Sequence, residues 1–161
     1  MKALSSALAA LALIALVTAP ALRAEIPPDQ AKAAGAIQLT TPLLDKMDAA
    51  ITALSADDAA KKELSTASAD PSINPENWGS SIESKCPKAA AVFKTAGISA
   101  DDFGKALFVI MAVSMGGDDM AKSADKNVKA NAEFMNANKD KVEKTFGKFM
   151  ELSMPSDKGD K

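Results

Sequence analysis

The 161-residue sequence contains no histidine and no tyrosine, and its only cysteine is Cys86. Without histidine, a serine–histidine triad and histidine-ligated zinc or haem are excluded. A single cysteine cannot form a disulfide bond within the chain, so stability has to come from packing. Glycine-rich phosphate loops and helix-loop-helix calcium loops are also missing. We therefore expect no cofactor, no metal and no catalytic residues, since carboxylate pairs alone need a cleft that shifts their pKa values.

The chain is also poor in aromatic residues, and no segment shows the alternating pattern of a β-strand. Its formal net charge is −2, and no long basic stretch is present. Nucleic acid and anionic membrane surfaces are therefore poor candidates for partners, because both require clustered positive charge.

Residues 1–24 have the composition of a secretory signal peptide. Lys2 is the only charged residue before Arg23, and the apolar stretch between them is shorter than the roughly 20 residues that span a bilayer. Ala19-Pro20-Ala21 fits the cleavage rule, and Ala24 also offers an acceptable small residue; we favour cleavage after Ala24. The sequence thus predicts a periplasmic protein with no stable membrane span after signal cleavage.

The remaining chain reads as one all-α domain, an irregular helical bundle of five to six helices. We divide it into a linker with a possible short helix at 25–40, a helical domain at 41–154 and a flexible charged tail at 155–161.

The helical domain contains several sequence patterns that are typical of helix starts and helix ends. The expected N-caps are Thr41 before Pro42, Ser55 in a capping box, and Asn74 before Pro75. Later segments suggest a helix from Asp118 to Asn136 and a last one from Asn138 to Leu152.

The most apolar helix is predicted from Ala100 to Met115, with Ser99 as its N-cap and Gly116-Gly117 as its end. Its apolar residues follow a 3.6-residue period and include Phe103 and Met111. Phe108 widens this apolar face, so we place the helix at the centre of the fold.

Cys86 is the residue with reactive potential, and two interpretations stay open. Its position directly before Pro87 suits a helix N-terminus, where the helix dipole lowers the pKa of a thiol. The alternative, which we favour, is a small buried side chain.

Two stretches, Ala96-Gly97-Ile98-Ser99-Ala100-Asp101-Asp102-Phe103 and Asn131-Ala132-Glu133-Phe134-Met135-Asn136-Ala137-Asn138, resemble a family of small exported helical proteins of proteobacteria. The family has no assigned activity. The resemblance covers the C-terminal half and implies an exported, all-helical protein.

These observations favour a non-catalytic periplasmic protein that binds a small apolar ligand or another envelope protein. The expected ligand site is a cleft between helices, lined by Trp78, Phe103, Phe108, Met111 and Met115. One alternative is an envelope-stress or assembly helper with an exposed apolar face. A second is a thiol or metal role centred on Cys86, with methionine thioethers as soft ligands for Cu(I).

Overall fold

A computed structural model of the chain describes residues 27–153. These residues form eight α-helices and no strand, which confirms the all-α fold class. The helices are α1 Pro28–Ala34, α2 Thr41–Ala56, α3 Asp58–Ser68, α4 Trp78–Lys85, α5 Pro87–Thr95, α6 Ala100–Gly116, α7 Lys126–Ala137 and α8 Lys139–Ser153.

The helix count exceeds the predicted five to six because single residues separate three pairs of consecutive helices. Asp57 divides α2 from α3, and its carboxylate accepts hydrogen bonds from the amides of Ala59 and Ala60, both at 3.0 Å. Asp57 is therefore the N-cap of α3, and the expected Ser55 capping box is wrong. Cys86 and Asn138 divide the other two pairs.

Two further helix starts differ from the prediction. The N-cap of α2 is Thr40 rather than Thr41, and its hydroxyl accepts a hydrogen bond from the amide of Leu43 at 3.3 Å. Helix α4 begins only at Trp78. The Asn74 carboxamide oxygen accepts from the amides of Glu76 and Asn77, as an N-cap does, but the backbone there forms a separate turn in which the Asn77 amide donates to the Asn74 carbonyl at 3.2 Å.

Helix α6 lies at the centre of the fold, as the sequence predicts. The Ser99 hydroxyl accepts a hydrogen bond from the Asp102 amide at 2.9 Å, which fixes the start of the helix. Helices α1, α4, α5, α7 and α8 all contact α6. The helix ends at Gly116, and Gly117 adopts the positive φ of 55° that a residue with a side chain rarely takes.

The predicted helix from Asp118 to Asn136 is wrong in its first part. Gly117–Lys122 is a short 3₁₀ helix that inserts Met120 into the core, and α7 starts at Lys126 after the Asp125 N-cap. The Asp125 carboxylate accepts from the amides of Asn127 and Val128, so a second N-cap splits the segment.

The predicted signal peptide, residues 1–24, and the predicted tail, residues 155–161, lie outside the described residues. Between residues 27 and 153, no helix combines the length and the apolarity that crossing a bilayer requires.

Candidate functional site

Trp78 and Phe103, two of the residues expected to line a ligand cleft, belong to a closed aromatic cluster in the core. The rings of Trp78 and Phe103 are stacked with centroids 5.9 Å apart, and Phe93 lies 4.7 Å from Phe103. Phe149 completes the cluster from α8, with its ring 5.7 Å from that of Phe103. The four rings come from four helices, which the cluster joins. Trp78 is 7% exposed and Phe103 is fully buried, so the cluster offers no cleft for a ligand.

Phe108 has a different environment, because its half-buried ring forms part of a surface cleft. We call this cavity the α1 cleft. Its volume is about 420 Å³, within the range of small-molecule sites, and most of its wall is apolar. The lining residues are Asp29, Lys32, Ala33, Ala36, Asn74, Pro75, Glu76, Lys105 and Phe108.

The wall formed by α1 is held in place by two amide side chains. Near the start of α1, the Gln30 carboxamide donates a hydrogen bond to the carbonyl of Ala112 on α6 at 3.0 Å. After the end of α1, the fully buried Asn131 donates to the carbonyls of Ala34 and Ile37 and accepts from the amide of Leu39, each at 2.8 Å. Asn131 thus ties the segment between α1 and α2 to α7.

Charged side chains surround the opening of the α1 cleft. Lys32 on α1 pairs with Glu76 at 3.3 Å, with the side chains 78% and 81% exposed, so this pair contributes little to stability. Lys105 donates to Asp101 at 2.6 Å, and this hydrogen bond raises the pKa of the Lys105 ammonium group. The cleft therefore combines an apolar wall with a rim on which both charge signs are present.

Met111 and Met115 do not line the α1 cleft. Met111 is 38% exposed and Met115 is 79% exposed, so their predicted place beside Trp78 and Phe103 is wrong. Helix α4 is only eight residues long, and it covers α6 around Gly104, whose backbone packs against the Trp78 ring. Farther along α6, Ala112 and Val113 are buried, whereas Met111 and Met115 face solvent.

Cys86 is 2% exposed and lies between α4 and α5, where its thiol contacts the carbonyl of Glu63 at 3.5 Å. Burial raises the pKa of the Cys86 thiol, and the negative charge of Glu63 raises it further. The Glu63 carboxylate also accepts from the Lys88 and Ala89 amides and so occupies the N-terminus of α5. Burial and Glu63 together thus outweigh the lowering of the thiol pKa that the less favoured interpretation, a reactive thiol at a helix N-terminus, would require.

We expect the Cys86 thiol in the native protein to react with a disulfide reagent at pH 8 about a hundredfold more slowly than in the unfolded chain, since reaction requires local opening. The measurement is the rate of thiol labelling with and without guanidinium. A rate equal to that of a free thiol would contradict the buried position.

The raised pKa of Cys86 also predicts how stability changes with pH. The contribution of Cys86 to the free energy of unfolding is fully present below the pKa of the unfolded thiol, about 9. It is lost as pH rises through the pKa of the folded thiol, because the thiol of the unfolded chain ionises first. A Cys86→Ala variant serves as control, since its unfolding free energy lacks this decrease while the lysine titrations are shared. An identical pH dependence in both proteins would contradict the shift.

The thiol and the exposed thioethers are not brought together. Cys86 lies against α3 and lines a surface depression between α3 and the start of α5, whereas Met111 and Met115 project from α6 and Met120 is buried. Over the part of the chain that the structure describes, no three Cys, Asp or Glu side chains are grouped so that they would hold a metal ion. The Cu(I) hypothesis has no geometric support here.

Asn131 is the residue whose role the sequence reasoning missed. Asn131 lies between Val128 and Met135 at helical spacing, so it is a polar residue on an apolar stripe. This position was the sequence feature that could have indicated a buried, hydrogen-bonded side chain. Its partners, Ala34 to Leu39, are more than 90 residues away in the sequence, and nothing local identifies them.

Comparison of the chain with family models, with curated proteins and with solved structures gave no match.

Proposed function

We propose that this protein is a non-catalytic, exported binding protein that holds a small apolar molecule in the α1 cleft. The observation that supports the proposal is the apolar wall of that cleft, which exposes the ring of Phe108 together with Ala33, Ala36 and Pro75. A half-buried phenylalanine in a preformed cavity gains contacts when an apolar ligand replaces water there.

The size of the cleft sets the affinity that we expect. A molecule that buries about 250 Å² of apolar surface gains about 6 kcal/mol, at roughly 25 cal/mol per Å². Because the loss of translational and rotational freedom on binding opposes this gain, it is an upper limit, and we expect a dissociation constant of about 10–100 μM or weaker. The charged rim permits a polar group at one end of the ligand, because Lys32 and Glu76 form only an exposed pair that water or a ligand can replace.

We expect a phenylnaphthylamine dye to bind the α1 cleft and to gain fluorescence when it leaves water. An Ala36→Arg substitution places a charged side chain in the cleft and is expected to weaken dye binding at least about tenfold. Fluorescence titration measures the dissociation constant.

The matched control is Ala137→Arg, which introduces the same side chain at an exposed position at the end of α7, away from the cleft. Trp78 fluorescence verifies that both variants are folded. Equal dye affinity in the two variants, or no binding by the unsubstituted protein, would refute the proposal for this cleft.

A second candidate function is binding of another envelope protein, in the manner of an assembly helper. Met111 and Met115 favour this function. They are the two exposed large apolar side chains within the described region, and exposed apolar surface is typical of sites that contact another protein. In this case, Met111→Gln combined with Met115→Gln would abolish retention of an envelope protein on the immobilised chain and leave dye binding unchanged. Loss of retention in Ala36→Arg alone would instead assign the interaction to the cleft.

We place the protein in a bacterial periplasm after removal of residues 1–24. The short apolar segment with small residues at its end supports this, as does the resemblance to small exported helical proteins of proteobacteria. N-terminal sequencing of the processed protein tests it: Glu25 is the expected first residue, and an unprocessed Met1 would contradict export by cleavage.

A further inference from the structure

The two exposed large apolar side chains among residues 27–153 are of the same type and lie one turn apart on the same helix. Met111 is 38% exposed and Met115 is 79% exposed, and both belong to α6. No leucine, isoleucine, valine or phenylalanine of the described chain is exposed in this way. The feature that distinguishes this surface is thus the thioether sulfur.

Other methionines of the chain have different surroundings. Met47 is 1% exposed in α2, and Met120 is fully buried against Gly116. Met135 and Met150 are partly buried against the core. Because oxidants reach a thioether only through solvent, the six methionines among residues 27–153 divide into two that are exposed, two that are partly buried and two that are buried.

We propose that Met111 and Met115 form a site of reversible oxidation by peroxide or hypohalous acid. With hydrogen peroxide, the thioether sulfur attacks one oxygen, an S–O bond forms and the O–O bond breaks. The sulfur loses two electrons to the peroxide, and the other oxygen leaves as water after proton transfer. The product is methionine sulfoxide. A methionine sulfoxide reductase converts it back to the thioether: two thiols of the reductase supply two electrons and two protons and become a disulfide, and the sulfoxide oxygen leaves as water.

Oxidation at these positions changes the surface of the protein without changing its core. A sulfoxide is polar and chiral, so the apolar surface of α6 at these two residues becomes a hydrogen-bond acceptor. The residues that hold α6 in the fold, such as Phe103 and Ile110, are buried on other sides of the helix and keep their contacts. The site therefore alters surface apolarity while the fold persists.

Tryptic mapping of the peroxide-treated full chain tests this directly, because cleavage after Lys105 and Lys122 places Met111, Met115 and Met120 in one peptide. We expect sulfoxide to form fastest at Met115, next at Met111, and at least about tenfold more slowly at Met120. Localisation by tandem mass spectrometry over time gives the three rates, with Met120 as internal control. Equal rates at Met115 and Met120 would overturn the proposal.

A second measurement follows surface apolarity. The oxidised protein should elute earlier from a phenyl column, keep its melting temperature, and return to its original elution after treatment with the reductase. The control combines Met111→Leu with Met115→Leu, which keeps the surface apolar and removes both sulfurs. An equally large elution shift in that variant, or unfolding of the oxidised wild-type chain, would overturn the assignment to these two residues.

Discussion

Replacing Gly79 by alanine should lower the free energy of unfolding by about 3 kcal/mol, the upper end of the usual cost of overpacking a core. A Cβ atom on Gly79 would lie 2.5 Å from the Cα of Asp101 and 2.8 Å from its backbone nitrogen. These are backbone atoms in the first turn of α6, so no side-chain rotation relieves the overlap and α4 has to move away from α6. Urea unfolding followed by Trp78 fluorescence gives the value.

Gly147→Ala is the matched control for this substitution. Gly147 lies within α8, and among the described residues a Cβ atom added to it would meet nothing within 4 Å beyond the backbone of its own helix. Alanine in a helix interior is more favourable than glycine, so this variant should be about 0.5–1 kcal/mol more stable than the wild type. The same substitution is thus expected to have opposite signs at the two sites. A loss at Gly79 below about 1 kcal/mol would contradict the close approach of α4 and α6.

Replacing Asn131 by leucine is the second substitution with a large expected effect. The side chains are of similar size, but leucine leaves the Leu39 amide and the carbonyls of Ala34 and Ile37 without their partner. An unpaired buried polar group costs about 1–3 kcal/mol, and the three groups share one site, so we expect a total loss of about 3–4 kcal/mol. Chemical unfolding measures it.

Two variants separate this effect from general damage to α7. Asn136→Leu changes an exposed asparagine of the same helix and should alter stability by less than about 0.5 kcal/mol. Asn131→Asp places a carboxyl group beside two carbonyl oxygens, which raises the pKa of the new group. Part of its stability deficit should therefore disappear at low pH, where the carboxyl is protonated, and grow as pH rises. A deficit independent of pH would argue against the two carbonyl contacts.

Much of the fold could be predicted from the sequence because its determinants are local. The Ser99 N-cap, Gly116-Gly117 at the end of α6 and the apolar period between them fix the central helix within a few residues. The starts of two helices differ from the prediction: Thr40 rather than Thr41 caps α2, and a turn at Asn74 precedes the start of α4 at Trp78. The Asn74 side chain makes the hydrogen bonds of a cap, but these bonds lie in a turn that ends before the helix begins.

The candidate site was harder to predict because it depends on which helices cover which surface. Phe103, Phe108 and Met111 occur on one apolar helix, yet the first is buried, the second borders a cleft and the third is exposed. Their periodicity contains no information on where α4 ends or where α1 lies. The same limit applies to Cys86, whose thiol pKa is raised first by burial and then by Glu63, a residue of another helix.

The Asn131 bonds make one backbone amide a reporter for the α1 wall. The Leu39 N–H is buried and donates to the Asn131 side chain, so deuterium can replace its proton only when that bond opens. Its exchange rate therefore measures how often the segment after α1 detaches. Amides within α6 exchange only on global unfolding, so the two processes can be measured separately. A ligand bound against α1 should slow hydrogen exchange at the Leu39 amide. The exchange rate of this one amide would then report how much of the protein has ligand in the cleft.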